Sequence, residues 1–309
     1  MKTINGMIRS GSRRRVFSLM LALTVISAFM SPAALAVGAA SVGYLPGVTE
    51  EMTTPAFWTA GMEDPDALLA TAEEIAAVNA AALATEGANM HDLKNLKETF
   101  DGAALSEAVQ RDAAAEAEDY LGWTYAETGK AFEQRDFDAI IANCADPNAK
   151  REMKLRYGIA VQRTILLTFP YDGQILDDPV DFDFDYQAQY TLRVNEPAVI
   201  LLSSADGGYY YIYTSCYAGW VRAEDVAVCK DKAEWLSAWD IPAGMRLVFY
   251  GDKMYTDTSK TSPETSNRLI TMGTVLERME EPGEGELVIN RLPLHNYAVY
   301  LPIRNEDGS

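Results

Sequence analysis

Of the side chains that do covalent or acid–base work, this chain holds three cysteines, two histidines and 45 aspartates and glutamates. A cysteine nucleophile needs a base within hydrogen-bond reach, or a helix N-terminus, to lower its pKa. Cys144 ends a helical stretch, where the helix dipole disfavours an anion. Cys216 and Cys229 fall in β-hairpin texture, His91 precedes every cysteine, and His295 stands just before the last predicted strand. No cysteine has the helix-start setting of a nucleophile, so no catalytic residue is assigned. Cys216 and Cys229 flank a predicted strand pair; a disulfide and two free thiols both fit. An acid pair for glycoside hydrolysis has no signature here, because with 45 acids some pair is always close.

The run Asp181-Phe182-Asp183-Phe184-Asp185-Tyr186 spaces its acids as the opening of a calcium loop does. That loop needs glycine at its sixth position and glutamate at its twelfth, where this chain has Tyr186 and Leu192. The run is therefore read as a period-2 strand, with Phe182, Phe184 and Tyr186 packed inward and the aspartates solvated. With only two histidines as well, neither a metal nor a cofactor is expected. Tyr209, Tyr210, Tyr211, Tyr213, Tyr217 and Trp220 form an aromatic cluster of the kind that binds sugars or peptides when exposed. Strand alternation turns about half of such a cluster into core. Trp220, within Gly219-Trp220-Val221, is expected to pack inside a barrel.

The elements that must position these residues change along the chain. Arg13-Arg14-Arg15, an apolar run from Val16 to Met30 and the small residues of Ala34-Leu35-Ala36 read as a cleavable secretory signal over residues 1–36. A tether is expected over 37–55. Thr71 and Glu74 are spaced as a capping box ahead of Ile75 and Val78, and Gly87 stops that helix. A second helix is predicted from about Ala103 to Tyr120, with Leu105, Ala108 and Val109 on one face. A third runs from about Lys130 to Cys144, and Asp146-Pro147-Asn148 stops it.

After Tyr157 short β-branched and aromatic segments follow: Ile159–Phe169, Ala198–Ser203, Gly208–Thr214 and Gly219–Val221, with Asp206-Gly207-Gly208 as a hairpin turn. The pattern restarts near Leu236 with Arg246–Tyr250, Asn267–Met272, Thr274–Met279, Glu286–Ile289 and Ala298–Ile303. Two small all-β units fit this spacing better than one sandwich. No returning strand follows the turn at Asn305–Gly308, and the expectation is that the chain is cut short there.

Composition excludes several classes. With 48% hydrophobic and 23% charged residues the chain is too apolar to be disordered. The first 36 residues carry five basic side chains and no acid, so against a net charge of −19 for the whole, the remainder carries −24. That field repels phosphate backbones and anionic lipid, so neither nucleic acid nor, after signal cleavage, a membrane is expected as a partner.

The stretch from Tyr157 to Ala227 resembles the first bacterial SH3 (SH3b) domain of NlpC/P60-type cell-wall cysteine peptidases. The resemblance is carried by Arg163-Thr164, Phe169-Pro170, Asp185 with Gln187 and Gln189, Glu196-Pro197, Ser204-Ala205-Asp206-Gly207 and Tyr217-Ala218-Gly219-Trp220-Val221. The second unit resembles the next SH3b-like domain through Met272-Gly273-Thr274-Val275-Leu276, Arg291-Leu292-Pro293 and Leu301-Pro302-Ile303-Arg304. The helical part resembles the N-terminal stabilising domain through Pro65-Asp66, Leu68-Leu69, Ile75 with Asn79, and Asn143.

The resemblance implies an α+β chain. A helical stabilising domain (56–150) precedes two small SH3-like β-barrels (157–229 and 236–309). It implies a bacterial, secreted or cell-envelope protein acting on peptidoglycan stem peptides at the γ-D-glutamyl-diamino acid bond. The family's cysteine peptidase domain follows the second SH3b domain, and none of Cys144, Cys216 or Cys229 matches its nucleophile motif. The chain itself is therefore expected to be inactive, with a C-terminal catalytic domain as its partner in a full-length protein. By position, Asp185, Gln189, Tyr217 and Trp220 are the expected substrate-binding residues: a carboxylate for a free amine, an aromatic to cover the peptide. The alternative is a secreted SH3b-type binding module for cell-wall peptide or a protein partner, with no chemistry.

Overall fold

The computed structural model describes residues 45–85, 89–256, 263–279 and 298–309. The signal segment, Gly87, the predicted strand Glu286–Ile289, Arg291-Leu292-Pro293 and His295 lie outside them. The chain divides into two units at Thr71/Ala72, inside the stretch expected to be one helical domain. Of the first unit, a 3-10 turn (Glu50–Thr53) and a short helix α1 (Pro55–Thr59) are described, neither with a buried residue.

The second unit begins with α2 (Ala72–Leu83), which forms where the capping signal placed it. Its predicted apolar residues Ile75 and Val78 are exposed rather than packed. Helix α3 (Gly102–Asp119) starts at Asp101, whose carboxylate accepts the Ala104 N–H at 3.0 Å. Its buried stripe is Ser106, Val109, Ala113 and Ala117, a spacing of three to four that puts one face on the core. Gly102 is held close to a neighbour, since a Cβ there would lie 2.1 Å from Met153 Sδ. Helix α4 (Gln134–Asn143) opens with a capping box between Glu133 and Asp136 and buries Phe137 and Ile140.

Seven antiparallel strands follow: β1 (Arg156–Ala160), β2 (Thr164–Leu167), β3 (Ala188–Leu192), β4 (Pro197–Ser203), β5 (Tyr209–Tyr213), β6 (Ala218–Arg222) and β7 (Val226–Cys229). Their spatial order is β7-β1-β4-β5-β6-β2-β3. The predicted strand Ile159–Phe169 is thus two strands, broken at 161–163. The β4–β5 turn contains Gly207 at φ +73°, a conformation glycine adopts without strain.

Both faces of this sheet are covered. One face buries Leu166, Leu192, Ala198, Ile200, Ile212, Val221 and Val226. The other packs Tyr157, Leu167, Val199, Tyr209 and Trp220 against Phe137, Ile140 and Phe169 of the helical side. That double burial explains why β4 reads as a near-continuous apolar run instead of alternating. Polar pins fix the two layers: Asn143 Nδ2 donates to Pro170 O (3.1 Å) and to an Asp206 carboxylate oxygen (3.2 Å), while Asn143 Oδ1 accepts the Asp206 N–H (3.1 Å).

Helix α5 (Lys232–Trp239) turns back onto β1. Trp235 is fully buried, donates its indole N–H to Gly158 O at 3.1 Å and packs on Tyr157. Beyond it, β8 (Arg246–Val248) pairs with β11 (Val275–Glu277), and β9 (Lys253–Tyr255) with β10 (Leu269–Thr271). Val299 bridges Arg278, and Ile270 and Leu276 form a small core with Val194, Phe249, Val299 and Leu301. Among the described residues this C-terminal part is therefore two short ladders and a bridge. It is fastened to the seven-stranded sheet through Asn195 Nδ2, which donates to Ala238 O (2.9 Å) and Val275 O (3.2 Å).

Candidate ligand-binding surface

The loop between β2 and β3 does not form the expected strand. Residues 181–184 are exposed, and Phe182 and Phe184 are 55% and 60% accessible, so their inward packing is corrected to outward display. The cause is local. Asp178 Oδ1 accepts the Val180 N–H (3.0 Å), Asp181 Oδ1 the Asp183 N–H (3.3 Å) and Asp185 Oδ1 the Gln187 N–H (3.1 Å). Aspartates that bond their own backbone two residues on make turns, and these outcompete the ladder that alternation suggests.

Asp185 is half-buried. Its Oδ1 also accepts the Ile175 N–H at 3.1 Å, stitching the loop to the short strand Ile175–Leu176. Burial raises its pKa above the ordinary carboxylate value. The two backbone N–H bonds pull the other way, and Glu127 adds repulsion. Among the described residues no hydrogen bond engages its second oxygen. An aromatic row stands beside it: Tyr120 and Trp123 from the turn after α3, then Tyr186 and Phe184 from the loop. Their ring centroids are 4.8, 4.5 and 5.0 Å apart in sequence. A carboxylate next to aromatic faces suits a cationic amine on an apolar body.

The other expected residues are placed differently. Gln189 is exposed and donates to Thr168 Oγ1 at 2.7 Å. It is the extra residue of a bulge, since Leu166 pairs with Tyr190 and Leu167 with Ala188. Tyr217 stacks on Tyr190, centroids 5.4 Å apart. Trp220 is fully buried against Tyr211 on the face turned to the helices, and this corrects both expectations for it. It offers no face to a ligand, and it packs the interlayer core rather than the barrel interior. Among the described residues no hydrogen bond, ion pair or ring contact joins any two of Asp185, Gln189, Tyr217 and Trp220.

Sequence reasoning missed the aromatic partners Tyr120 and Trp123, which come from the helical part and have no motif. It also gave no structural weight to Gln187, fully buried, whose amide N–H donates to Tyr171 O and Gly173 O and so anchors the loop base.

The three cysteines are free thiols. Burial pushes Cys144 up to about 12 and Cys229 up to about 11, far from a reactive thiolate. His91 stacks on Tyr213 (3.9 Å) and its Nδ1 lies 2.8 Å from Thr214 O, a packing role in which burial lowers its pKa. Among the described residues no group of three or more His, Cys, Asp or Glu is placed to hold a metal ion, and no helix is long and apolar enough to cross a membrane.

Residues 175–222, which contain the loop, the bulge and the β5–β6 hairpin, match the SH3 domain (SH3b1 type) family. Four of the seven sheet strands, β3 to β6, lie inside the match, and β1, β2 and β7 complete the sheet from outside it. No curated protein matches the chain in sequence. Among solved structures, an NlpC/P60 endopeptidase from Photobacterium damselae subsp. piscicida aligns with a TM-score of 0.49 and 17% identity. The alignment covers 65% of this chain and 40% of that one.

Proposed function

We propose that the chain is the non-catalytic, substrate-positioning part of an exported NlpC/P60-like peptidoglycan endopeptidase, with Asp185 receiving the free amine of a stem peptide. The observation that carries the reading is the Asp185 carboxylate, one oxygen of which has no hydrogen-bond partner among the described residues, beside the Tyr120–Trp123–Tyr186–Phe184 row and within a segment that matches the SH3b type. Gln189 and Tyr217 are assigned to the same surface, as polar and aromatic contacts further along the domain. Peptide cleavage belongs to a cysteine peptidase domain acting with this chain, and the chain alone releases no peptide from muropeptides.

The test is calorimetric titration of the chain with a muropeptide bearing a free L-alanyl amine. Asp185→Asn keeps the Oδ1 acceptor for Ile175 and Gln187 but removes the charge. It is expected to weaken binding by roughly tenfold or more, the loss of one charge-assisted bond, while leaving the thermal midpoint unchanged or slightly raised. The sign follows from linkage. Because burial lifts the Asp185 pKa, its ionised form is disfavoured in the folded state, and neutralising it relieves that cost at neutral pH. For the same reason wild-type affinity should fall on acidification earlier than an ordinary carboxylate would allow. Equal affinity of wild type and D185N would remove Asp185 from the site.

A further inference from the structure

We propose that the cleft between residues 162–163 and 266–269 binds the carboxylate of a small organic acid or a peptide end. The cleft is lined by Gln162, Arg163, Ser266, Asn267, Arg268 and Leu269 and has a volume of about 230 Å³. That is below the ~300–1,000 Å³ of sites for drug-sized ligands, which selects a small occupant.

The two arginines differ in how they are held. Arg268 is fixed: its Nε donates to Glu264 O at 2.8 Å and its Nη1 to Gln162 Oε1 at 2.8 Å. Gln162 is fixed in turn, donating from its amide to the buried carboxylate of Asp225, whose other oxygen accepts from Thr164. Asp225 is thus committed to the Gln162 and Thr164 donors. Arg163 is exposed and, among the described residues, has no carboxylate or hydrogen-bond partner. A fixed guanidinium and an exposed one line the same cleft, and they concentrate positive charge locally in a chain of net charge −19.

Guanidinium groups match carboxylates in fork geometry, and a preorganised one loses little freedom on binding. The long-range field decides the size of the anion. A polyanion would meet repulsion from the whole chain, whereas a single carboxylate feels mainly the two nearby arginines.

The experiment uses the ¹⁵N-labelled chain and follows the arginine Nε–H resonances during titration with N-acetyl-alanine and, separately, with polyphosphate. N-acetyl-alanine is expected to shift the Arg163 and Arg268 signals together and saturably. Arg163→Gln should weaken that binding about tenfold with no change in thermal midpoint, since Arg163 carries no described contact. Arg163→Lys, which keeps the charge and loses the fork, should fall between. Three results would overturn the proposal: no shift with N-acetyl-alanine, undiminished binding in R163Q, or tighter binding of polyphosphate than of the acid. The outcome is independent of D185N, because this proposal does not use Asp185.

Discussion

Replacing Trp220 by alanine is expected to lower the unfolding free energy by about 3–5 kcal/mol, the range for emptying a buried aromatic site. The indole is fully buried and makes an edge contact with Tyr211 at 5.3 Å. Its pocket is walled by two layers pinned together, among other contacts, through Asn143 and Asp206, so collapse around the cavity would be incomplete. Urea denaturation of wild type, W220A and Trp220→Phe measures the loss, with the phenylalanine variant expected to retain most of the stability. The experiment also separates two roles. A residue of the ligand wall would lose muropeptide affinity with its stability intact; an interlayer residue loses stability first. W220A with an unchanged midpoint and abolished binding would return Trp220 to the ligand surface.

The second large effect concerns Trp235. Trp235→Ala is expected to cost about 3–5 kcal/mol, and in addition it leaves Gly158 O without its indole donor. Gly158 shows how tightly this place is built: a Cβ there would stand 2.6 Å from Val226 Cγ1 and 3.0 Å from Ile200 Cδ1. Trp235→Phe would keep much of the packing against Tyr157 and lose one neutral hydrogen bond, a cost of about 1 kcal/mol before the unpaired carbonyl is counted. Limited proteolysis supplies the second readout. In W235A the segment from Lys230 to Asp240 should become the first cleavage site, because Trp235 is the one residue of α5 that is fully buried. Resistance equal to wild type would show that α5 is held by other contacts.

What the sequence made legible was mostly local. The capping spacing at Thr71 and Glu74, the stop at Asp146-Pro147 and the glycine turn at 206–208 are short-range signals, and the helix starting at Ala72, the helix ending at Asn143 and the β4–β5 turn lie beside them. Alternation proved weaker as a guide. In the 181–186 run, aspartate-to-backbone bonds set the conformation, and period 2 described the sequence without describing a strand. In β5 the alternation is real but both faces are buried: Tyr211 meets Trp220 on one side while Ile212 fills the other. A one-sided reading therefore misassigned Trp220, since nothing in Gly219-Trp220-Val221 says that a helical layer lies over it. The site was half legible for the same reason. Asp185 belongs to a recognisable segment, whereas Tyr120 and Trp123 reach it only through tertiary packing.

The burial of Trp235 bears on how such a chain can be inherited in pieces. A recombination crossover placed at Cys229, where the last strand of the sheet ends, would give the recipient a sheet with the Tyr157 ring and the Gly158 carbonyl uncovered. The packed unit runs on through α5 to Ile241, itself 1% exposed. Residues 230–235, left unassigned between the two expected barrels, therefore belong with the sheet before them, and a crossover that kept this packing intact would begin after that helix.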